Sequence, residues 1–439
     1  MRIERLSAAQ IDGFGTLDQV ALHLRGFLKG SESVREEVRA IVAEVKDRGD
    51  KALVEYTRKL DTDGKDPRPL VVPEQELDEA LKKLDLDLVA GLQVAIANVA
   101  EVAQASIGEE VVVRLAQGQR VLMREIPVGS AGVYVPGGRA PYPSTVIMGV
   151  VTARAAGVVD VCVCSPPGAT GQIHPVILAT CRLVGVERVY KMGGAQAISA
   201  LAHGTETVKP VHVIVGPGNL YVQEAKRQLS AVVGIDGFAG PSDLTVILGQ
   251  DALAKEAEVA ALDMLAQAEH GEGSMVVAIS PSLKALEKLS KALERLVARF
   301  PTVADAVCVL IHASDPPRAI ELANAIAPEH LQLIGEDIEG LSRSVRTAGC
   351  VFVGSSAGTA FGDYVAGSNH ILPTGGSARF ASTLSPRHFR RRMAEVSLGP
   401  EAGETVRKLA AAAIPIARAE GFEVHAQSMA ARLRNNPRS

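Results

Sequence analysis

Glu329 and His330 stand side by side in the stretch Pro328–Leu331. A carboxylate next to an imidazole offers two proton acceptors of different strength at one point in space. Three other stretches hold groups able to bind one divalent metal: Gln267 and His270 in QAEH, Asp363 in GDY, and His425 in EVHA. A metal beside an acid/base pair is the equipment of an enzyme that moves protons. Each fragment has a plainer reading. Gln267 and His270, at i and i+3, share one helix face, where they could be an ordinary polar pair near a helix end. Gln is also an uncommon zinc ligand. Asp363 could be a turn aspartate accepting backbone bonds, and a tail histidine such as His425 is usually solvated. On a regular strand Glu329 and His330 would point to opposite faces. After Ala327-Pro328 they are expected at a bend, where both can address one cleft.

These groups need rigid elements to hold them. Short β-rich runs between about 120 and 245 end in Gly/Pro turns and alternate with helical stretches: Gly132–Val135, Val158–Val163, Arg188–Met192 and Val211–Val215. That alternation predicts an α/β fold with a parallel sheet. No GxGxxG follows any of the strands, so the standard dinucleotide fingerprint is absent. The loops VPGGRAPYPS, GGAQA and GPGNLYVQEAK nevertheless expose backbone N–H groups at strand ends and argue for a ligand crevice. Further strands are expected at Leu244–Leu248, 275–279, Cys308–Ile311, Leu331–Ile334 and Cys350–Val353, with helices near 251–269, 282–299 and 315–327. Residues 1–31 read as an arm with two short amphipathic pieces, and 32–60 as two helices with Val34, Val38, Ile41, Val42 and Val45 on one stripe. Residues 61–73 read as a loop, helices return from 74 to about 107, and the tail from about 385 holds a basic cluster, a helix through the alanines near 410 and a final helix.

The whole chain bounds the function. Its 439 residues exceed one ordinary core, so two larger lobes are expected. Apolar residues make up 47% and charged ones 22%, which argues against disorder. A formal net charge of -4 argues against a nucleic-acid partner. No run of about 18 apolar residues exists, so no membrane span is expected, and the start MRIERLSAAQ lacks the apolar stretch of a signal peptide. Five cysteines show neither a disulfide framework nor a zinc pattern. Cys162 and Cys164, in an apolar strand without a nearby His or Lys, read as structural rather than nucleophilic. RHFRRR reads as a solvated or subunit-contacting cluster. A reduced, cytoplasmic protein is the expectation.

The stretches VGSAGVYVPGGRAPYPS, GGAQAISALAHGTE, VGPGNLYVQEAKRQ, GIDGFAGPS, LAQAEH, APEHLQL, GDYVAGSNHILPTGGSARF and EGFEVHAQS resemble the histidinol dehydrogenase family, nearly end to end and in order. The resemblance implies oxidation of L-histidinol to L-histidine with two NAD⁺ and one Zn²⁺ per subunit. It makes Gln267, His270, Asp363 and His425 the metal ligands, which also contact substrate, and gives Glu329 and His330 the acid/base roles. Ser242, His330, His370 and Glu420 match further substrate-contacting positions, and Tyr134, Gln196 and Asn219 match positions that contact NAD. It also implies two incomplete Rossmann-like lobes and an intertwined homodimer whose active sites are shared. On that reading residues 1–31 are an N-terminal helical arm, 32–131 with 243–384 the metal-bearing lobe, 132–242 the NAD-contacting lobe, and 385–439 an exchanging helical tail.

Two departures stand out. The family usually reads GPSE where this chain has Gly240-Pro241-Ser242-Asp243, and after TLS this chain has Pro386–Phe389. Relatives on the same scaffold act on other primary alcohols such as dihydroxypropanesulfonate, which is the first alternative; a sulfonate would call for a cation where Glu420 stands. A non-catalytic zinc- or dinucleotide-binding protein is the second alternative, and the presence of Glu329 and His330 weighs against it.

Overall fold

Runs of β-branched residues bounded by Gly and Pro become buried parallel strands, as their near-continuous apolar pattern requires. The computed structural model describes residues 1–27, 31–137, 140–237, 242–270, 274–303, 306–399 and 402–434. It forms two compact units: Met1–Ser106 with Val128–Phe389, and Ile107–Pro127 with Arg390–Ser439.

Among its described residues, the first unit carries two sheets, both wholly parallel. One has six strands in the order Arg2–Leu6, Val307–His312, Met275–Ser280, Asp243–Leu248, His330–Ile334, Cys350–Val353. The other has five, in the order Arg188–Lys191, Asp160–Ser165, Ser130–Tyr134, Val213–Val215, Gly234–Ile235. Helices cover the faces, giving two Rossmann-like lobes. Strand order reverses at Ser130–Tyr134 and Val213–Val215 in the five-stranded sheet, which opens a crevice at their carboxyl ends.

Two expectations need correction and a third gains a strand. Residues 32–106 do not belong with the metal-bearing lobe. Helices Arg35–Arg48 and Asp50–Leu60 pack on the five-stranded sheet through Val38, Ile41, Val45 and Leu53, beside Tyr134, Cys162 and Ile198. Helices Glu74–Lys82 and Leu86–Ala105 bury Leu77, Leu92 and Val99 on the opposite side, against Val133 and Ile147. Each such large apolar side chain stabilises this arrangement by roughly 1.5–3 kcal/mol. The arm also differs: Arg2–Leu6 is a strand that extends the six-stranded sheet, followed by helices Ala8–Gly13 and Leu17–Arg25, each opened by a capping box. Finally, the tail carries its two expected helices, Ala402–Ala419 and Glu423–Arg434, and begins with a strand. Arg390–Leu398, including three arginines of RHFRRR, is a strand paired antiparallel with Gln119–Pro127.

The second unit consists of that pair, a third strand Val111–Arg114, and helices Ala402–Ala419 and Glu423–Arg434, which pack on each other. Residues 107–127 therefore leave the lobe to which they were expected to belong.

The helix Leu86–Ala105 is long and apolar enough, by length and composition, to cross a membrane. It interrupts its apolar residues with Asp87, Gln93, Asn98 and Glu101, and its Leu92, Ala95, Val99 and Ala103 stripe is buried in the core.

Candidate active site

Local chemistry sets Glu329 and His330 at a bend. Asp315 caps the helix Pro316–Ile326 and Pro316 opens it. The helix stops where Ala327 takes a left-handed φ of 53° and Pro328 follows. Arg25, from the arm, donates to the carbonyls of Ala325 and Ile326 at 2.9 and 3.2 Å, satisfying that helix end. The chain then enters the six-stranded sheet at His330, between Asp243–Leu248 and Cys350–Val353. Gly349 N–H bonds the Pro328 carbonyl at 3.0 Å and Cys350 N–H the Glu329 carbonyl at 2.9 Å. A Cβ on Gly349 would stand 2.5 Å from the Glu329 carbonyl oxygen, so only glycine permits this approach.

Asp243 closes the bend from the neighbouring strand. Glu329 N–H donates to Asp243 Oδ1 at 2.9 Å, and Asp243 N–H donates to Glu329 Oε2 at 3.1 Å. Glu329 Oε1 lies 3.7 Å from His330 Nε2, which is also 3.7 Å from Asp363 Oδ1. The His330 ring stacks on Phe352 with centroids 5.7 Å apart, and its Nδ1 is buried without a partner. Gly362 lets the Asp363 segment come this close, since a Cβ there would meet the Phe352 ring at 2.5 Å.

Burial dominates the electrostatics. It lifts the Glu329 carboxyl well above the usual carboxylate range, and the charges of Asp243 and Asp363 add to the lift. Burial raises Asp363 to about 6, with His270 pulling the other way. Asp243 is pushed up to about 6 by burial, against the bonds from Glu329 and Gly375 N–H and the nearby Arg25. Burial, then His270 and His370, lowers His330 to about 3, so its ring is neutral at physiological pH. Buried carboxyls and neutral imidazoles around one cleft form an environment that a cation would relieve.

The candidate metal ligands divide between the units. Gln267 ends the helix Ala254–Ala268, which packs against Thr359–Tyr364, the helix of Asp363. Its side chain is buried and its Nε2 has no partner. His270 follows that helix with Nδ1 3.2 Å from the Gln267 carbonyl oxygen. A proton on Nδ1 leaves the lone pair on Nε2, the arrangement a metal-binding imidazole uses. The Gln267 amide oxygen, a carboxyl raised by burial and this imidazole are donors of the kind that fit a divalent ion. Among the described residues, no group of three or more His, Cys, Asp or Glu is itself sufficient to hold a metal. Glu420 and His425 lie in the second unit, exposed, just after Ala402–Ala419 and within Glu423–Arg434.

Ser242, His270, Glu329, His330, Asp363 and His370 line a cavity of about 630 Å³. The five-stranded lobe lines it with Tyr134, Asn219 and Asp236 among others. This lobe offers the carboxyl ends of its strands, whereas the six-stranded sheet presents the amino ends of Asp243–Leu248 and His330–Ile334. His370 links the two: Nδ1 lies 2.9 Å from the Asp363 carbonyl oxygen and Nε2 3.1 Å from Thr145 Oγ1. Burial lowers it to about 4. Tyr134 is buried and its hydroxyl accepts from Gly194 N–H at 3.2 Å. Asn219 caps the helix Leu220–Leu229. Gln196 is fully buried, does not line the cavity, and donates from Nε2 to Asp61 at 3.1 Å.

Sequence reading marked Asp243 only as a departure and passed over Thr145, Asp61 and Asp236. Their signal lies in partners far along the chain. Gly138 and Arg139 of the first Gly-rich loop, and Gly240 and Pro241 of GPSD, lie outside the described residues. Pro386–Phe389 forms a short 3₁₀ turn in which Ser385 N–H bonds His388 Nδ1 at 3.1 Å and Phe389 enters the core. Cys162 and Cys164 are buried with thiols pushed up by burial, as befits structural residues.

The sequence model of the histidinol dehydrogenase family matches residues 28–433. The histidinol dehydrogenase of Rhizobium meliloti is 40% identical over 409 residues, covering 92% of this chain and 93% of that protein. That of Gluconobacter oxydans is 38% identical over 442 residues, covering 99% and 100%. The crystal structure of histidinol dehydrogenase from Elizabethkingia anophelis superposes with a TM-score of 0.89 at 29% identity, covering 98% of each chain. A match of this extent takes in both lobes, the second unit and the Glu329–His330 cleft, and on it the chain belongs to the histidinol dehydrogenase family.

Proposed function

We propose that this protein oxidises L-histidinol through L-histidinal to L-histidine, transferring four electrons to two NAD⁺ with the help of one Zn²⁺. The observation that carries the reading is the buried Glu329–His330 pair facing Asp363 in a cavity lined by both lobes. Gln267, His270 and Asp363 would hold the zinc together with His425, and Ser242, His370 and Glu420 would contact the amino alcohol. Bound zinc would fix the substrate through its nitrogen atoms and supply the positive charge that this carboxyl-rich cleft lacks. Tyr134, Gln196 and Asn219 belong to the dinucleotide side.

Neutral His330 takes the hydroxyl proton as hydride leaves the alcohol carbon for the first NAD⁺, and the product is the aldehyde. Glu329 then takes a proton from the water that adds to that aldehyde, while His330 returns its proton to the carbonyl oxygen, so the gem-diol forms and the ring is neutral again. His330 removes a proton from the resulting gem-diol as hydride leaves for the second NAD⁺, giving the acid. Two proton acceptors held 3.7 Å apart suit two successive oxidations in one pocket. Because Glu420 and His425 belong to a separate unit, we infer a homodimer in which each second unit completes the partner's site.

The two departures do not favour another substrate. Asp243 is engaged with the Glu329 backbone, and Pro386–Phe389 serves a turn and the core. The deciding assay supplies the zinc-loaded protein with L-histidinol or dihydroxypropanesulfonate and follows NADH. Two NADH per L-histidinol and none from the sulfonate are expected. Turnover of the sulfonate alone would overturn the substrate assignment. His270→Asn and His425→Asn should each lose bound zinc and activity together; unchanged zinc in both would remove this metal site.

A further inference from the structure

Gly216 sits just beyond the strand Val213–Val215, at the reversal of strand order in the five-stranded sheet. Its φ is +116°, and a Cβ there would collide with the Tyr134 carbonyl, so glycine is required. Both of its backbone polar groups are taken by one buried ion pair. Lys226, from the following helix Leu220–Leu229, reaches back and donates to the Gly216 carbonyl and, at 2.7 Å, to Asp236 Oδ1. Asp236 Oδ2 accepts from Gly216 N–H at 2.7 Å. The Lys226 and Asp236 side chains are 1% and 7% exposed.

A buried ion pair is weak as a stabilising device, because desolvation offsets most of its attraction. Apolar residues of similar volume would fill that space as well. What they could not do is hold the N–H and C=O of Gly216 together. The loop so held continues through Pro217, Gly218 and Asn219 into Leu220 and Gln223, all of which line the cavity with Asp236.

We propose that Lys226 and Asp236 are positioning residues for the dinucleotide, locking Gly216 so that the loop up to Asn219 meets the cofactor already in its bound shape. This rests on the reading above that assigns this wall to NAD. A preorganised loop binds more tightly because less ordering is left to be done on binding.

The test measures NADH affinity by fluorescence titration on the zinc-loaded enzyme without substrate, alongside the thermal midpoint, zinc content and steady-state kinetics. Lys226→Met and Asp236→Asn each leave polar groups unpaired and should lower both the midpoint and the affinity. The double variant Lys226→Met/Asp236→Leu removes the unpaired charge but leaves the Gly216 N–H and C=O without these partners, so it should recover only part of the midpoint. Its NADH dissociation constant should still be weaker by about tenfold, with KM for NAD⁺ raised in step and kcat at saturation and zinc content kept. Wild-type NADH affinity in the folded double variant overturns the proposal. So does wild-type affinity in folded Asp236→Asn, should the double variant fail to fold. If the wild-type enzyme itself binds no NADH, the assignment of this wall to NAD falls, and the proposal with it.

Discussion

In the proposed reaction two neighbouring side chains carry the chemistry, and their surroundings suit them to different tasks. His330 is neutral through burial; in that proposed reaction it removes a proton in both oxidations, so His330→Asn should slow both. Glu329→Gln should fall most heavily on oxidation of the aldehyde, where water is activated. Loss of a general base commonly costs about 10²–10⁴-fold, which stopped-flow measurement of each half-reaction would resolve. If Glu329→Gln spares the aldehyde and abolishes alcohol oxidation, the roles are reversed. Asp243 belongs to the same scale, since it accepts the Glu329 N–H in a fully buried setting. Asp243→Ala leaves that donor unsatisfied, at about 1–3 kcal/mol, and should lower the thermal midpoint. Asp243→Asn keeps an acceptor of the same shape and should retain most of the stability. Equal losses in the two variants would show that this bond is not what Asp243 provides.

At the scale of elements, helix ends do much of the positioning. The left-handed Ala327 before Pro328 turns the chain towards the cleft, and Asn219 caps the helix that follows Gly216. Asp61 ends the helix Asp50–Leu60 and meets the amino end of Gly194–His203, where Gln196 Nε2 and Gly193 N–H donate to it. Burial raises its pKa from 3.8 to about 7 despite those bonds. The folded state therefore binds this proton more tightly than the unfolded chain does. The stability linked to it is fully present below 3.8 and is lost as pH rises through about 7. Asp61→Asn removes the titration, so its thermal midpoint relative to wild type should be higher at about pH 8 than at about pH 5. A difference independent of pH would reject this account.

For the whole molecule, the division into two units matters most. The second unit carries Glu420 and His425, whereas Gln267, His270, Glu329, His330 and Asp363 lie in the first. If each second unit serves a partner's site, an inactive His330→Asn chain and an inactive His425→Asn chain should complement each other. One site of their heterodimer collects both lesions and the other has neither, so activity should return towards half of the wild-type value. If each second unit served its own chain, both sites would keep one lesion. No recovery in verified heterodimers would then reject the shared site while leaving the ligand assignment standing.

The sequence by itself determined most of the strands and helices and the bend at Glu329–His330. These depend on neighbours along the chain: apolar spacing, a capping Asp315, a Pro after a helix end. Motif order also carried the family and with it the proposal for the site residues. Tertiary structure alone decided which sheet the helices between 35 and 105 cover, because an apolar stripe reports that a face is buried and not what buries it. It also decided that Arg2–Leu6 and Arg390–Leu398 are strands, since both form beside partners more than 250 residues away. The bonds of Asp243 to Glu329, Asp61 to Gln196 and Asp236 to Gly216 belong to the same class. Each joins a short side chain to a distant backbone or amide, and local periodicity holds no trace of where such a partner will arrive.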